Sequence, residues 1–97
     1  MATYEWDEAK RLGNAAKHGV DFLDADLVFE SPFKVSVDVT RDSEKEKRYA
    51  DFAEVKGVVL KLVYTLRGDK IRCISLRVAS RSERRSYEKA KNCQVLK

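Results

Sequence analysis

A chain of 97 residues with 37% charged side chains and a net charge of +4 reads as one domain, spanning 1–97 and able to bury roughly 60–65% of its unfolded surface. No apolar run approaches the roughly 20 residues of a membrane span and no signal-peptide pattern opens the chain, so a cytoplasmic protein off the membrane is expected. Cys73, Cys93 and the single histidine, His18, share no metal-ligand spacing, so no metal, no cofactor and reduced thiols are expected.

Thr3 to Trp6 reads as a short edge strand. Asp7 is placed as an N-cap and Glu8 in the first turn of a helix running to His18, with Ala9, Leu12, Ala15 and Ala16 on its apolar face. Gly19 follows as the left-handed residue that ends it, and Lys17 and His18 sit where cations suit the helix dipole. A second, shorter helix starts at Asp21, carries Phe22, Ala25, Leu27, Val28 and Phe29, and stops at Ser31-Pro32.

From there to Ala79 the pattern predicts an antiparallel meander. Phe33 to Val39 alternates apolar and polar residues, Arg41 to Lys47 is a charged loop, and Tyr49 to Val55 is a weaker strand. A Lys56-Gly57 turn leads to the strongest strand, Val58 to Leu66, and Gly68-Asp69 makes the hairpin back into Ile71 to Leu76. Val58, Leu60, Leu62, Tyr64 and Leu66 should lie against the helices, while Val59, Lys61, Val63 and Thr65 form a milder face that can stand open. Ser80 and Glu83 make a capping box that opens a last helix, which has few apolar residues beyond Tyr87 and Ala90. The expected fold class is α+β: two N-terminal helices packed on one face of an antiparallel sheet, with a basic C-terminal helix.

Charge is unevenly spread. Between Arg67 and Lys91, nine Lys and Arg residues face only Asp69, Glu83 and Glu88, whereas acids outnumber bases before Pro32. Guanidiniums gathered this closely repel one another, so the last strand and helix are expected to meet a polyanion.

The residues E-W-D-E-A-K at 5–10, Asn14, K-H-G-V at 17–20, Phe22, Val28-Phe29, V-Y-T at 63–65, I-R-C-I-S-L-R-V-A-S-R-S-E-R at 71–84 and Tyr87 resemble the BrnT family of bacterial toxins, similar in fold to the RelE ribonucleases. Val78 stands where relatives often carry a basic residue, and Phe52 where a glycine is common. The resemblance implies an endoribonuclease toxin that acts on RNA and inhibits translation and growth. It also implies neutralisation by a BrnA-like ribbon-helix-helix antitoxin in a hetero-oligomer, with a heterotetramer favoured. Operator DNA would be reached only through that antitoxin.

Metal-independent RNA cleavage lets a 2′-hydroxyl attack the adjacent phosphate and needs a base, an acid and cations around the transition state. Arg77, closing the strand just before a helix entrance, is the first choice for phosphate stabilisation; a salt bridge to Glu5 or Glu8 is its structural alternative. Arg72 is second, although an odd separation puts it on the opposite face from Arg77 unless a bulge intervenes or Arg77 lies past the strand's end. His18 reads either as a general acid or RNA contact or as a helix-end stabiliser, and Tyr87 as a base stack, a weak acid or an anchor. Tyr64, Lys17 and Glu83 are further proton-carrier candidates, and Lys10, Lys17, Arg81 and Arg84 are assigned to RNA phosphates or to a solvated surface. The rival functional reading is a non-catalytic nucleic-acid-binding or regulatory subunit; a third is a basic surface that docks an acidic partner.

Overall fold

The computed structural model describes residues 2–95. In chain order these hold β1 (Thr3–Glu5), α1 (Glu8–His18), a 3-10 turn (Phe22–Asp24), α2 (Ala25–Phe29), β2 (Val35–Asp38), β3 (Tyr49–Val55), β4 (Val58–Arg67), β5 (Lys70–Val78) and α3 (Arg81–Val95). One five-stranded sheet runs in the order β1-β5-β4-β3-β2, so β4, the longest and most apolar strand, occupies its centre.

The α+β class stands, but the sheet is mixed rather than antiparallel. Strands β2 to β5 form the expected meander, while β1 pairs in parallel with β5, Thr3 opposite Lys70 and Glu5 opposite Arg72. Parallel pairing needs a long crossover, and here the whole of α1 to β4 supplies it. Local alternation in the sequence carries no trace of that distant partner.

The helices also differ from expectation. The second helix is split into the 3-10 turn, capped by Asp21 accepting from Leu23 N–H, and a five-residue α2. Phe22, Ala25 and Val28 from these two pieces pack on Leu60, Leu62 and Tyr64 of β4 and on Leu76 of β5, forming the core. Val58 and Leu66, at the ends of the same β4 face, remain exposed.

Helix α1 does not bury the predicted apolar face: Leu12 is 57% exposed, Ala9 and Ala16 are exposed, and the buried residue is Asn14. The cause lies at the sheet edge. Strand β1 covers only Lys70 to Arg72 of β5, which leaves backbone groups further along without a neighbour. Asn14 fills that place, donating through Nδ2 to Leu76 C=O (2.7 Å) and Val20 C=O (2.9 Å) and accepting Leu76 N–H at Oδ1 (3.1 Å). Asp7 caps the start of α1 and Gly19, at φ 71°, ends it as expected.

Helix α3 returns over the opposite sheet face. The capping box is present, with Glu83 N–H donating to Ser80 Oγ (3.3 Å) and Ser80 N–H to Glu83 Oε1 (2.8 Å). Tyr87 is the buried residue that holds it: its ring meets Phe33 edge-on and its hydroxyl accepts Glu54 N–H.

Candidate nucleic-acid interface

The register of β4 with β5 decides which charges share a surface. Val63 lies opposite Ser75, but its neighbour Tyr64 lies opposite Cys73, so Ile74 is an unpaired extra residue, a β-bulge. Beyond it the side-chain parity of β5 is reset. Arg72 faces Thr65, Ser75 faces Val63 and Arg77 faces Lys61, three odd-numbered positions on one face of β4. The bulge therefore reconciles the odd separation of Arg72 and Arg77 and brings both guanidiniums to the face away from the core.

They share the face but not one hollow. Four strand steps separate them, roughly 13 Å. Arg77 meets Glu83 in a two-pronged contact (2.9 and 3.1 Å), and Lys61 Nζ reaches the same carboxylate at 3.1 Å. Arg77 also donates to the carbonyl of Val78 (3.0 Å). Its structural partner is thus Glu83 rather than Glu5 or Glu8, since Glu5 takes Arg72 (3.1 Å) and Glu8 takes Arg11.

Burial pushes the Glu83 carboxyl up, but hydrogen bonds from Arg77, from the Ser80 backbone and from Lys61 outweigh it and bring its pKa down to about 2. Glu83 is therefore a fixed negative charge near neutrality, not a proton carrier. Tyr64 is also withdrawn from that role. Its phenol is buried in the core, donates to Asp51, and is pushed above its ordinary range first by burial and then by the Asp51 charge.

Arg72 lines a separate cleft of about 230 Å³ together with Lys10, Arg48, Arg67, Glu44 and Glu46. The charged loop, residues 41–47, closes it: Arg67 pairs with Glu46 (3.0 Å), Arg48 pairs with Glu44, and Thr65 Oγ1 donates to Lys47 C=O. Lys10 thus joins Arg72.

Asn14 fixes how α1 faces the sheet, and the helical period then places Lys10, Lys17 and His18 on the side Asn14 turns toward β5. Lys10 and Lys17 are exposed and His18 is half-buried in the last turn before Gly19. Arg81 and Arg84 are exposed on the first turns of α3. Tyr87, by contrast, is only 3% exposed.

Sequence reasoning passed over Lys61 and Phe52. A lysine in the middle of the apolar run V-V-L-K-L-V was the available signal, because a charge at a central strand position needs a partner. Lys61 faces Arg77 on one side and Phe52 on the other, with Nζ 5.8 Å from the Phe52 ring centre. Asp51, fully buried, was also unforeseen; it is held by Lys34 Nζ (2.7 Å), Ser36 Oγ (2.6 Å) and Tyr64 Oη on the core side.

Among the described residues, no group of three or more His, Cys, Asp or Glu side chains gathers as a metal site, and no helix is long and apolar enough to cross a membrane. A comparison with curated proteins finds no match. Residues 6–83 match the family model described as the ribonuclease toxin BrnT of type II toxin–antitoxin systems. That match takes in α1, every strand of the sheet except β1, and the Ser80–Glu83 cap, so the chain belongs to the BrnT family of ribonuclease toxins.

Proposed function

We propose that the chain is a metal-independent endoribonuclease that cleaves RNA by 2′-hydroxyl attack and so halts translation and growth. The observation that carries it is the bulge at Ile74, which sets Arg72, Lys61 and Arg77 on one sheet face beside the Lys10–Lys17–His18 side of α1. Arg77 and Lys61 stabilise the charge that builds on the attacked phosphate. Glu83 holds both cations in place and yields part of their charge when phosphate arrives. Arg72 and Lys10 hold a flanking phosphate in the cleft, while Lys17, Arg81 and Arg84 add to the field around it. His18 is the proton carrier at that edge, and we assign Tyr87 to anchoring, because its hydroxyl is buried against Glu54 N–H.

The partner in this reading is a BrnA-like ribbon-helix-helix antitoxin in a heterotetramer, with operator DNA bound through the antitoxin alone. The test is RNA incubated with the purified chain in EDTA. Cleavage should persist in the wild type and fall roughly 10²–10³-fold in Arg77→Ala, the usual loss on removing one transition-state donor. Cleavage that needs added metal, or that survives Arg77→Ala, overturns the assignment.

One observation favours the non-catalytic alternative. Arg48, Arg67, Arg72 and Arg77 each meet a carboxylate of their own chain, as in a surface that only grips phosphate by exchanging partners. Intact RNA with salt-sensitive binding would decide for it.

A further inference from the structure

We infer that the apolar groove beside the Lys61–Arg77 pair is a stacking subsite for one unpaired nucleobase, with Phe52 as its platform; this rests on RNA being the ligand of the sheet face. The strand registers line up Val35, Phe52, Lys61 and Arg77 as a single row across β2, β3, β4 and β5. Along that row the surface changes from apolar to cationic. Neighbouring strands are about 4.8 Å apart, so Phe52 and Arg77 are separated by roughly 10 Å. Lys61 stands between them, its ammonium 5.8 Å from the Phe52 ring.

The groove has a volume of about 260 Å³, with Val35, Val37, Phe52 and Tyr87 as walls and Ser82 and Ser86 at its rim. That is just below the range of sites for drug-sized ligands and suits a single flat ring system. A nucleotide joins a flat apolar face to a phosphate over a distance of this order, which is the same polarity sequence as the row. An apolar peptide would fill the groove but offer the two cations nothing beyond the Glu83 carboxylate they already share.

The groove also indicates how the base is read. Glu83 lies at its edge, but its oxygens already accept from Arg77, Lys61 and Ser80 N–H. Two serine hydroxyls remain, each able to donate or accept, so the subsite takes any base and selects for single strands rather than for sequence. Bases inside a duplex are stacked on one another and do not enter.

A short 2′-O-methyl RNA carrying one 2-aminopurine tests this, because it binds without being cut and its fluorescence falls when the base stacks. Wild-type protein should quench the probe. Phe52→Ala should weaken the single strand roughly tenfold, within the usual loss per stacked base, and abolish the quench, while affinity for a duplex of the same sequence stays within twofold. Phe52→Leu keeps the apolar bulk without the ring and should also lose the quench; Phe52→Trp should restore it. Equal binding and quench in wild type, Phe52→Ala and Phe52→Leu overturns the subsite, as does a single strand that does not bind. Groove protection by a protein partner with no quench by RNA overturns it too. If Arg77→Ala abolishes cleavage while Phe52→Leu keeps the quench, the groove assignment falls and the nuclease stands. If the quench behaves as expected but unmodified RNA is never cut, the subsite stands and the nuclease falls.

Discussion

Replacing Glu83 by Gln should move stability and RNA affinity in opposite directions. Gln keeps the shape and can still close the capping box with Ser80, so the change isolates the charge that Arg77 and Lys61 share. Glu83 falls from an ordinary 4.5 to about 2 in the folded chain, which would correspond to at most about 3 kcal/mol. The site lies near the surface, where solvent screens such pairs, so about 1–2 kcal/mol is the expected loss at pH 7. For a domain of this size that lowers Tm by roughly 4–15 °C. Because the folded pKa is depressed, the stabilisation is complete above about pH 4.5 and disappears as the pH drops through about 2. Urea titrations should therefore show a gap between wild type and Glu83→Gln at pH 7 that closes by about pH 2.

The same change removes a negative charge from beside the phosphate position. At about 5 Å in water, one such charge opposes a phosphate by about 0.8 kcal/mol, so RNA should bind roughly fourfold more tightly at low salt. Fluorescence anisotropy with an uncleavable RNA measures this. A stability gap that is the same at pH 7 and pH 2, or weaker RNA binding by Glu83→Gln, would refute the account of Glu83 as a place-holder for phosphate.

Asn14→Ala should cost about 2–4 kcal/mol in urea unfolding, since it strands the Leu76 N–H and C=O and the Val20 C=O together. Tyr87→Phe should cost about 1 kcal/mol through the lost bond from Glu54 N–H and leave RNA cleavage within about twofold; a loss beyond about 100-fold would put the hydroxyl in the chemistry.

What the sequence made legible was local. Strand β3 falls on the predicted residues because alternation and the Lys56-Gly57 turn bracket it, Lys56 and Gly57 both adopting positive φ. The Ser80–Glu83 box is read from a spacing of three residues and is found as read. Most of the misreadings are of distant contacts. The buried face of α1 was placed on Leu12, because apolar periodicity assumes that a helix packs on apolar surface, whereas α1 meets the polar edge of β5. The Arg77–Glu83 pair was within reach, six residues apart across a strand end and a helix start. The capping box already gives Glu83 a role with Ser80, and that role masks its second one as the partner of Arg77. Phe52 and Lys61 belong to different strands, and only the register makes them neighbours.

The bulge at Ile74 is the least legible feature and the most consequential, since no glycine marks it. Were Ile74 paired in a regular strand, half of β5 would turn over and either Arg72 or Arg77 would face the core. Deleting Ile74 instead removes the spare residue: Cys73 and Ser75, already opposite Tyr64 and Val63, become neighbours, and every other side chain of β5 keeps its face. The deletion should therefore fold by circular dichroism, losing about 1–2 kcal/mol with the half-buried Ile74 side chain, and should bind RNA with the wild-type salt slope. Ile74→Ala keeps the bulge and should fold within about 1.5 kcal/mol of wild type with the same slope. An unfolded deletion variant would refute the reading of Ile74 as the spare residue, and a folded one that no longer binds RNA would refute the shared face of Arg72 and Arg77 as the place where the phosphate is held.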